Sequence, residues 1–262
     1  MTFDWILTAA GFGVGFLVGL TGVGGGSLMT PLLIFVFKVE PAVAVGTDLL
    51  FAAVTKTGGI WAHARRKTIE WRIAGLLALG SVPTALITIY VIGQIGTGDA
   101  LIEEFITHGL GIALILTAAS ILFKSKMHQF GDGLRQRYPS LRSYRDGATV
   151  LAGVLLGVLV PISSVGAGAL GAAILMFLYP RIPTIRIVGT DIAHAVPLTA
   201  VAGLGHLQLG TVDTDLLVAL LIGSLPGIYF GSHLGTVVPD RIMRPILASI
   251  LFVIGIKFAL IN

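Results

Sequence analysis

Hydrophobic residues run along this chain in long charge-free blocks instead of the alternating or 3.6-residue stripes of a water-soluble fold. The blocks are Trp5–Phe37, Ile73–Gly98, Phe105–Phe123, Gly147–Pro180, Ile192–Val212 and Leu216–Pro239. A helix crossing a bilayer needs about 20 apolar residues, and the first and fourth blocks are far longer than that. Glycine clusters interrupt both, Gly22-Val23-Gly24-Gly25-Gly26 in the one and Gly166-Ala167-Gly168 in the other. Glycine inside a helix costs about 1 kcal/mol against alanine. The pattern therefore predicts, in each block, two shorter helices meeting at a glycine-rich break. Further crossings carry isolated charges: Pro41–Ala62 with Asp48 and Lys56, and Ile182–His206 with Arg186 and Asp191. A last one covers about Arg244–Ile261, where Lys257 lies close enough to the end to snorkel to the interface.

The one clearly polar stretch is 124–146, with Lys124, Lys126, Arg135, Arg137, Arg142 and Arg145 against Asp132 and Asp146. It divides the chain into a first membrane unit at 1–123, a basic linker at 124–146 and a second unit at 147–262. The two units repeat each other. Gly11-x-x-x-Gly15 matches Gly153-x-x-x-Gly157, and Gly24-x-Gly26 matches Gly166-x-Gly168. One residue further in register, Gly46-Thr47-Asp48 matches Gly189-Thr190-Asp191 and His63 matches His206. Gly80-Ser81-Val82-Pro83 likewise matches Gly223-Ser224-Leu225-Pro226. Positively charged loops stay cytoplasmic. The loop after His63 carries Arg65, Arg66, Lys67 and Arg72, whereas its counterpart after His206 carries only Asp213 and Asp215. The acidic loop of Asp99, Glu103 and Glu104 likewise answers to one with Arg241 and Arg244. Equivalent loops thus face opposite sides, and the linker is cytoplasmic. The expected fold is an all-α polytopic membrane protein of two inverted repeats, each a glycine-broken helical hairpin plus three transmembrane helices. Secondary transporters are built in this way.

Composition narrows the reading further. Only 11% of the 262 residues are charged, 55% are hydrophobic and none is cysteine. Disulfide, zinc-finger and iron–sulfur chemistry are excluded, and nothing calls for a metal or cofactor. A formal charge of +4 is spread over loops, where it sets topology and does not build a nucleic-acid surface. The acidic start Met1-Thr2-Phe3-Asp4 does not read as a cleaved leader.

The breaks carry the candidate chemistry. A broken helix frees backbone amides, and positive helix ends favour an anion. Thr21, Gly24, Gly25, Gly26 and Ser27 in the first unit, with Ser163, Ser164, Gly166, Ala167 and Gly168 in the second, are the candidate substrate contacts. Hydroxyls and amides suit a small anion that must leave again; glycines serving only close helix packing are the alternative. Thr47, Asp48, Lys56, Thr190, Asp191 and His194 are coupling or gating candidates, since carboxylates inside a membrane are expensive and by default functional. Each aspartate could instead cap a helix start. Lys56 could attract an anion or neutralise Asp48, and its counterpart is Thr199, so its role is not symmetric. Asp191 and His194, three residues apart, form the better proton pathway. His63 and His206 stand at segment ends bordering water, each bonding a neighbouring helix.

Gly15-Phe16-x-x-Gly19-Leu20-x-Gly22-x-Gly24-Gly25-Gly26, then Pro31, Gly46-Thr47 and His63, resembles the TauE/SafE family of sulfite and organosulfonate exporters. Gly153, Gly157, Gly166, Gly168, Gly189-Thr190 and His206 look like its partner repeat, with Pro161-Ile162-Ser163-Ser164 replacing a more glycine-like stretch. The resemblance implies export of small sulfur oxyanions or sulfonates through the inner membrane of a bacterium. Physics permits that direction: one charge moving through 100 mV is worth about 2.3 kcal/mol, so a dianion leaving a negative cytoplasm gains roughly twice that. Export then needs no coupling ion in principle. The expected partners are the small anion and the bilayer, without nucleic acid; association into a homodimer stays open. A passive channel remains an alternative. An intramembrane hydrolase using Ser163 or Ser164 is the weaker one, because no G-x-S-x-G elbow is present.

Overall fold

The computed structural model describes residues 5–21, 26–96, 100–137, 144–234 and 240–260. They form ten helices in chain order: α1 (Trp5–Thr21), α2 (Gly26–Phe35), α3 (Pro41–Arg65), α4 (Trp71–Ile95), α5 (Ala100–Arg137), α6 (Arg145–Ser163), α7 (Ala169–Leu178), α8 (Thr184–Gln208), α9 (Thr214–Leu234) and α10 (Asp240–Leu260). No strand occurs among the described residues. Six of these helices contain segments long and apolar enough to cross a membrane, within α3, α4, α5, α6, α8 and α9; shorter apolar helices cover Trp5–Leu20, Ala169–Leu178 and Pro245–Leu260. Many side chains on the outside are large and apolar, such as Leu79, Leu86, Tyr90, Tyr229 and Val253. That is the surface a bilayer solvates, where water would not.

The fourth block breaks where its glycines are, α6 giving way to the ten-residue α7; in the first, residues 22–25 lie outside the described residues, between α1 and the ten-residue α2. At 1.5 Å per residue each short helix spans roughly 15 Å, about half the hydrocarbon thickness. Within the basic linker, 124–137 continues α5, which is 38 residues long.

The two halves of the chain interlock. α1 packs chiefly on α9, and α4 on α6; α3 packs on α8, and α5 on α10. Exchanging the halves turns the first pair into the second and leaves the other two unchanged. The detail repeats as well. Gly11 and Gly15 of α1 lie on the backbone of Leu220 and Ser224, while Gly153 and Gly157 of α6 lie on that of Leu77 and Ser81. Small residues at these crossings let the backbones come close, the usual source of helix association where lipid removes the hydrophobic drive.

Gly-Thr-Asp acquires a residue-by-residue explanation from the same exchange. A Cβ on Gly46 would stand 2.1 Å from the Thr211 carbonyl oxygen, and one on Gly189 would stand 2.5 Å from that of Thr68. The Thr47 hydroxyl accepts the Asp213 amide at 3.0 Å, and the Thr190 hydroxyl accepts the Glu70 amide at 2.9 Å. Each glycine and threonine therefore docks the loop of the opposite half. Those loops are held by matching staples: His63 Nδ1 pairs with Thr68 Oγ1 and His206 Nδ1 with Thr211 Oγ1, both at 2.8 Å. His206 departs from the expectation of a site bordering water. It is fully buried, and its Nε2 donates to the Pro161 carbonyl at 2.9 Å.

Candidate functional site

The second break is built from a serine and two glycines with unusual backbones. α6 ends at Ser163, and Ser164 turns the chain with φ 55°, followed by Gly166 at φ 115° and Gly168 at φ 146°. Positive φ suits glycine and strains other residues, which explains why two of the five break residues, 164–168, lack a side chain. Ser163 is absorbed by the turn: its hydroxyl donates to the Leu159 carbonyl at 2.7 Å and accepts the Val165 amide at 3.2 Å. The Ser164 hydroxyl is 4% exposed and has no hydrogen-bond partner.

Lys56 reaches this break from the other half. Its ammonium donates to the Ala167 carbonyl at 2.6 Å, across 111 residues of sequence. It also lies within the electrostatic field of Asp191 and, less strongly, of Asp48. Both aspartates are buried and stand seven residues inside their helices, which begin at Pro41 and Thr184 with Glu40 and Pro183 as the caps. The cap alternative for Asp48 and Asp191 is thereby corrected: at 1.5 Å per residue they lie about 10 Å along the helix from its start.

Each carboxylate meets the beginning of a short helix in its own half. Thr30 of α2 turns both its hydroxyl and its amide to Asp48. In α7 a Cβ on Gly171 would lie 2.1 Å from Asp191 Oδ1, so the carboxylate occupies the space a side chain would take. Thr30 is the fifth residue of α2, and the Gly171 amide already donates to the Gly166 carbonyl at 3.0 Å, so each acid lies along the first turns of its short helix. Asp48 Oδ1 has no hydrogen-bond partner, and the Ser164 hydroxyl stands beside that carboxylate.

His194 lies on the same helix as Asp191, one turn on, but faces α4: its Nε2 pairs with Ser81 Oγ at 2.8 Å and its Nδ1 has no partner. Thr199, the counterpart of Lys56, is buried and bonds its own helix at Ala195. The structure therefore brings Asp48, Lys56, Ser164, Ala167 and Asp191 together, with His194 close enough to feel the charge of Lys56. Thr47 and Thr190 are placed instead at the junctions between halves. Gly24 and Gly25 lie outside the described residues, as do the side chains of Thr21 and Ser27; Gly26 opens α2. Among the described residues no group of three or more His, Asp or Glu is placed to hold a metal ion.

Sequence reasoning missed Thr30, Gly171 and Ser81. Thr30 carried a signal, being the single polar side chain in the apolar stretch 28–37. Ser81 carried one as well, recurring in the Gly80-Ser81-Val82-Pro83 motif; Gly171 carried none, because its importance lies in a partner on another helix.

The sulfite exporter TauE/SafE family profile matches residues 7–258. The chain is 41% identical over 247 residues to the probable membrane transporter protein YjnA of Bacillus subtilis, covering 94% of this chain and 96% of the relative. It is 30% identical over 270 residues to a probable membrane transporter protein of Methanocaldococcus jannaschii, covering 96% and 93% of the two chains. No solved structure matches it significantly. With a family profile over residues 7–258 and six helices long and apolar enough to cross a membrane, the chain is a membrane transporter and belongs to the TauE/SafE sulfite exporter family.

Proposed function

We propose that this transporter exports small sulfur-containing anions, sulfite or short organosulfonates, across the cell's inner membrane by alternating access between two inverted repeats. The anion binds where the halves meet at the second break. One observation carries this reading: a lysine of the first half is held against the open backbone of the second at 2.6 Å. A cation at the break suits a compact anion with several acceptor oxygens. The lysine pairs with groups from both halves, so a relative movement of the halves would make and break the site. That coupling of binding to motion is what a carrier requires and a static pore does not. The family's printed description supports the choice of sulfur anions. The basic turn after His63 and the acidic turn after His206 support opposite orientations of the repeats.

The chain has no cysteine, which makes a single-thiol test clean. In Ala167→Cys, a membrane-impermeant maleimide is expected to label the purified, reconstituted protein from either side. A short sulfonate should slow labelling from both sides, while exchanging potassium for sodium should not. Labelling from one side only, or labelling indifferent to sulfonate, contradicts a two-sided anion site at the break.

A further inference from the structure

A furrow of about 530 Å³ opens between the last halves of α4 and α8. The two helices run parallel. Near their starts Arg186 pairs with Glu70, just before α4, at 2.9 Å. Near their ends a Cβ on Gly205 would stand 2.6 Å from Ile89 Cγ2, and one on Gly93 would stand 2.8 Å from Leu209 Cδ2. The glycines thus bring the helices into contact and leave the furrow beside them unfilled. Its edges are Leu86, Tyr90 and Leu204, each more than half exposed, so it opens on the apolar outside of the bundle that a bilayer solvates. Neither Lys56 nor the 164–168 break lines it.

The chemistry of the furrow is graded along its length. Leu86 and Val201 close the end nearer the middle of the two helices. Tyr90, Gln94 and Gln208 stand towards the other end, the two glutamines in the final turns of α4 and α8. From Leu86 to Gln94 the furrow runs about 12 Å at 1.5 Å per residue, against about 15 Å for half the hydrocarbon core. It is therefore one leaflet deep, apolar towards the midplane and polar at the interface. No charged side chain among the described residues lines it. A phospholipid is graded in the same sense, from acyl chain to ester and phosphate oxygens. A helix of a second protein is about 10–12 Å across with its side chains and would lie over the furrow without filling it, whereas a flexible acyl chain enters it.

The repeat does not impose this furrow. The register that matches His63 to His206 sets Trp61, Ala62 and Arg65 of α3 against Leu204, Gly205 and Gln208 of α8. There the Arg65 guanidinium covers the Trp61 ring at 4.3 Å, an aromatic and a basic anchor of the kind that marks a membrane interface. The α8 face has neither. We propose that the α4–α8 furrow binds one phospholipid of the leaflet opposite the basic turn after His63. An acyl chain lies along Leu86, Val201 and Leu204, and the ester and phosphate oxygens accept hydrogen bonds from Tyr90, Gln94 and Gln208. These donors are neutral, so the site reads the glycerophosphate common to phospholipids and not the charge of the headgroup. It stands independently of which anion the protein carries.

The test incubates the full-length protein, purified in detergent, with palmitoyl-oleoyl phosphatidylethanolamine or phosphatidylglycerol and reads the intact complex by native mass spectrometry. One phospholipid should stay on each chain, with the two headgroups retained about equally. Gln94 and Gln208 are exposed, so Gln94→Leu with Gln208→Leu leaves the packing intact and should cut retention about tenfold through two lost hydrogen bonds. Unchanged retention in the double variant, a strong preference for phosphatidylglycerol, or no retained lipid overturns the site. So does a lipid-free dimer that the double variant dissociates, which makes the furrow an interface between copies. Single-tryptophan chains give an independent reading. With Trp5, Trp61 and Trp71 replaced by phenylalanine, Tyr90→Trp should be quenched by a brominated acyl chain at a several-fold lower mole fraction of lipid than Trp61 in a chain that retains it alone. Equal quenching at the two positions means ordinary bilayer contact and overturns the site.

Discussion

Replacing Lys56 with methionine should abolish saturable anion flux while leaving the fold assembled. The ammonium is hydrogen-bonded to the Ala167 carbonyl and lies in the field of two buried carboxylates. Removing a charged partner from a desolvated, hydrogen-bonded site costs about 2–5 kcal/mol, or roughly 30-fold to several thousand-fold in affinity. Two effects add in the same direction, since the anion loses its counter-charge and Asp191 loses the favourable field of the lysine. The second also threatens stability, and a double variant separates them. Lys56→Met with Asp191→Asn removes that negative charge, so it should purify like the wild type and still bind no sulfonate. Titration of each variant with sulfonate, followed by thermal-shift protection, reads the affinity directly. Wild-type affinity in Lys56→Met would remove the lysine from the site.

The second large effect concerns the interlocked halves. A Cβ on Gly223 would stand 1.9 Å from the Thr8 carbonyl oxygen, and a Cβ on Gly80 would stand 2.1 Å from that of Val150. Neither oxygen belongs to a side chain that could turn away. Alanine at either position must push α1 from α9, or α6 from α4, along an entire crossing. Overpacking a tight contact costs about 1–3 kcal/mol and more where backbone is the obstacle, a fall of roughly 10 °C in unfolding midpoint at the upper end. Gly75, on the same α4 as Gly80, has nothing within 4 Å of its absent Cβ. Gly75→Ala should be neutral or stabilising by up to about 1 kcal/mol, because alanine is the better helix former. Thermal unfolding in detergent should therefore show Gly80→Ala and Gly223→Ala losing stability together, with Gly75→Ala unharmed. A large loss at one crossing and none at the other would break the equivalence of the halves.

The sequence disclosed more of the fold than of the site, for a physical reason. Hydrophobic length and glycine clusters act locally, so the crossings and the interruption before α7 could be read from the chain alone. The repeat was equally legible because Gly11, Gly15, Gly153 and Gly157 keep their spacing. Their partners were not, since nothing near Gly153 in the chain announces Leu77. Gly-Thr-Asp shows the limit well. Its recurrence marked it as important, yet one triplet contains two jobs: glycine and threonine fasten the opposite half's loop, and the aspartate turns to a short helix. Lys56 was legible as a charge, but its attachment to Ala167 is a contact across 111 residues. The long helix through 124–137 was hidden for the opposite reason. Its polar residues read as a linker, whereas a helix leaving the membrane needs no apolar face.

The most direct measurement is efflux from liposomes containing the purified protein, loaded in parallel with sulfite, a short sulfonate, sulfate and chloride. A carrier for small sulfur anions predicts flux of sulfite or the sulfonate that saturates with concentration and exceeds that of chloride. It also predicts counterflow, with unlabelled anion outside speeding the exit of labelled anion. Flux that rises linearly without counterflow would contradict the carrier and indicate a pore. Efflux no faster than from protein-free vesicles for every one of these anions would contradict the substrate class itself.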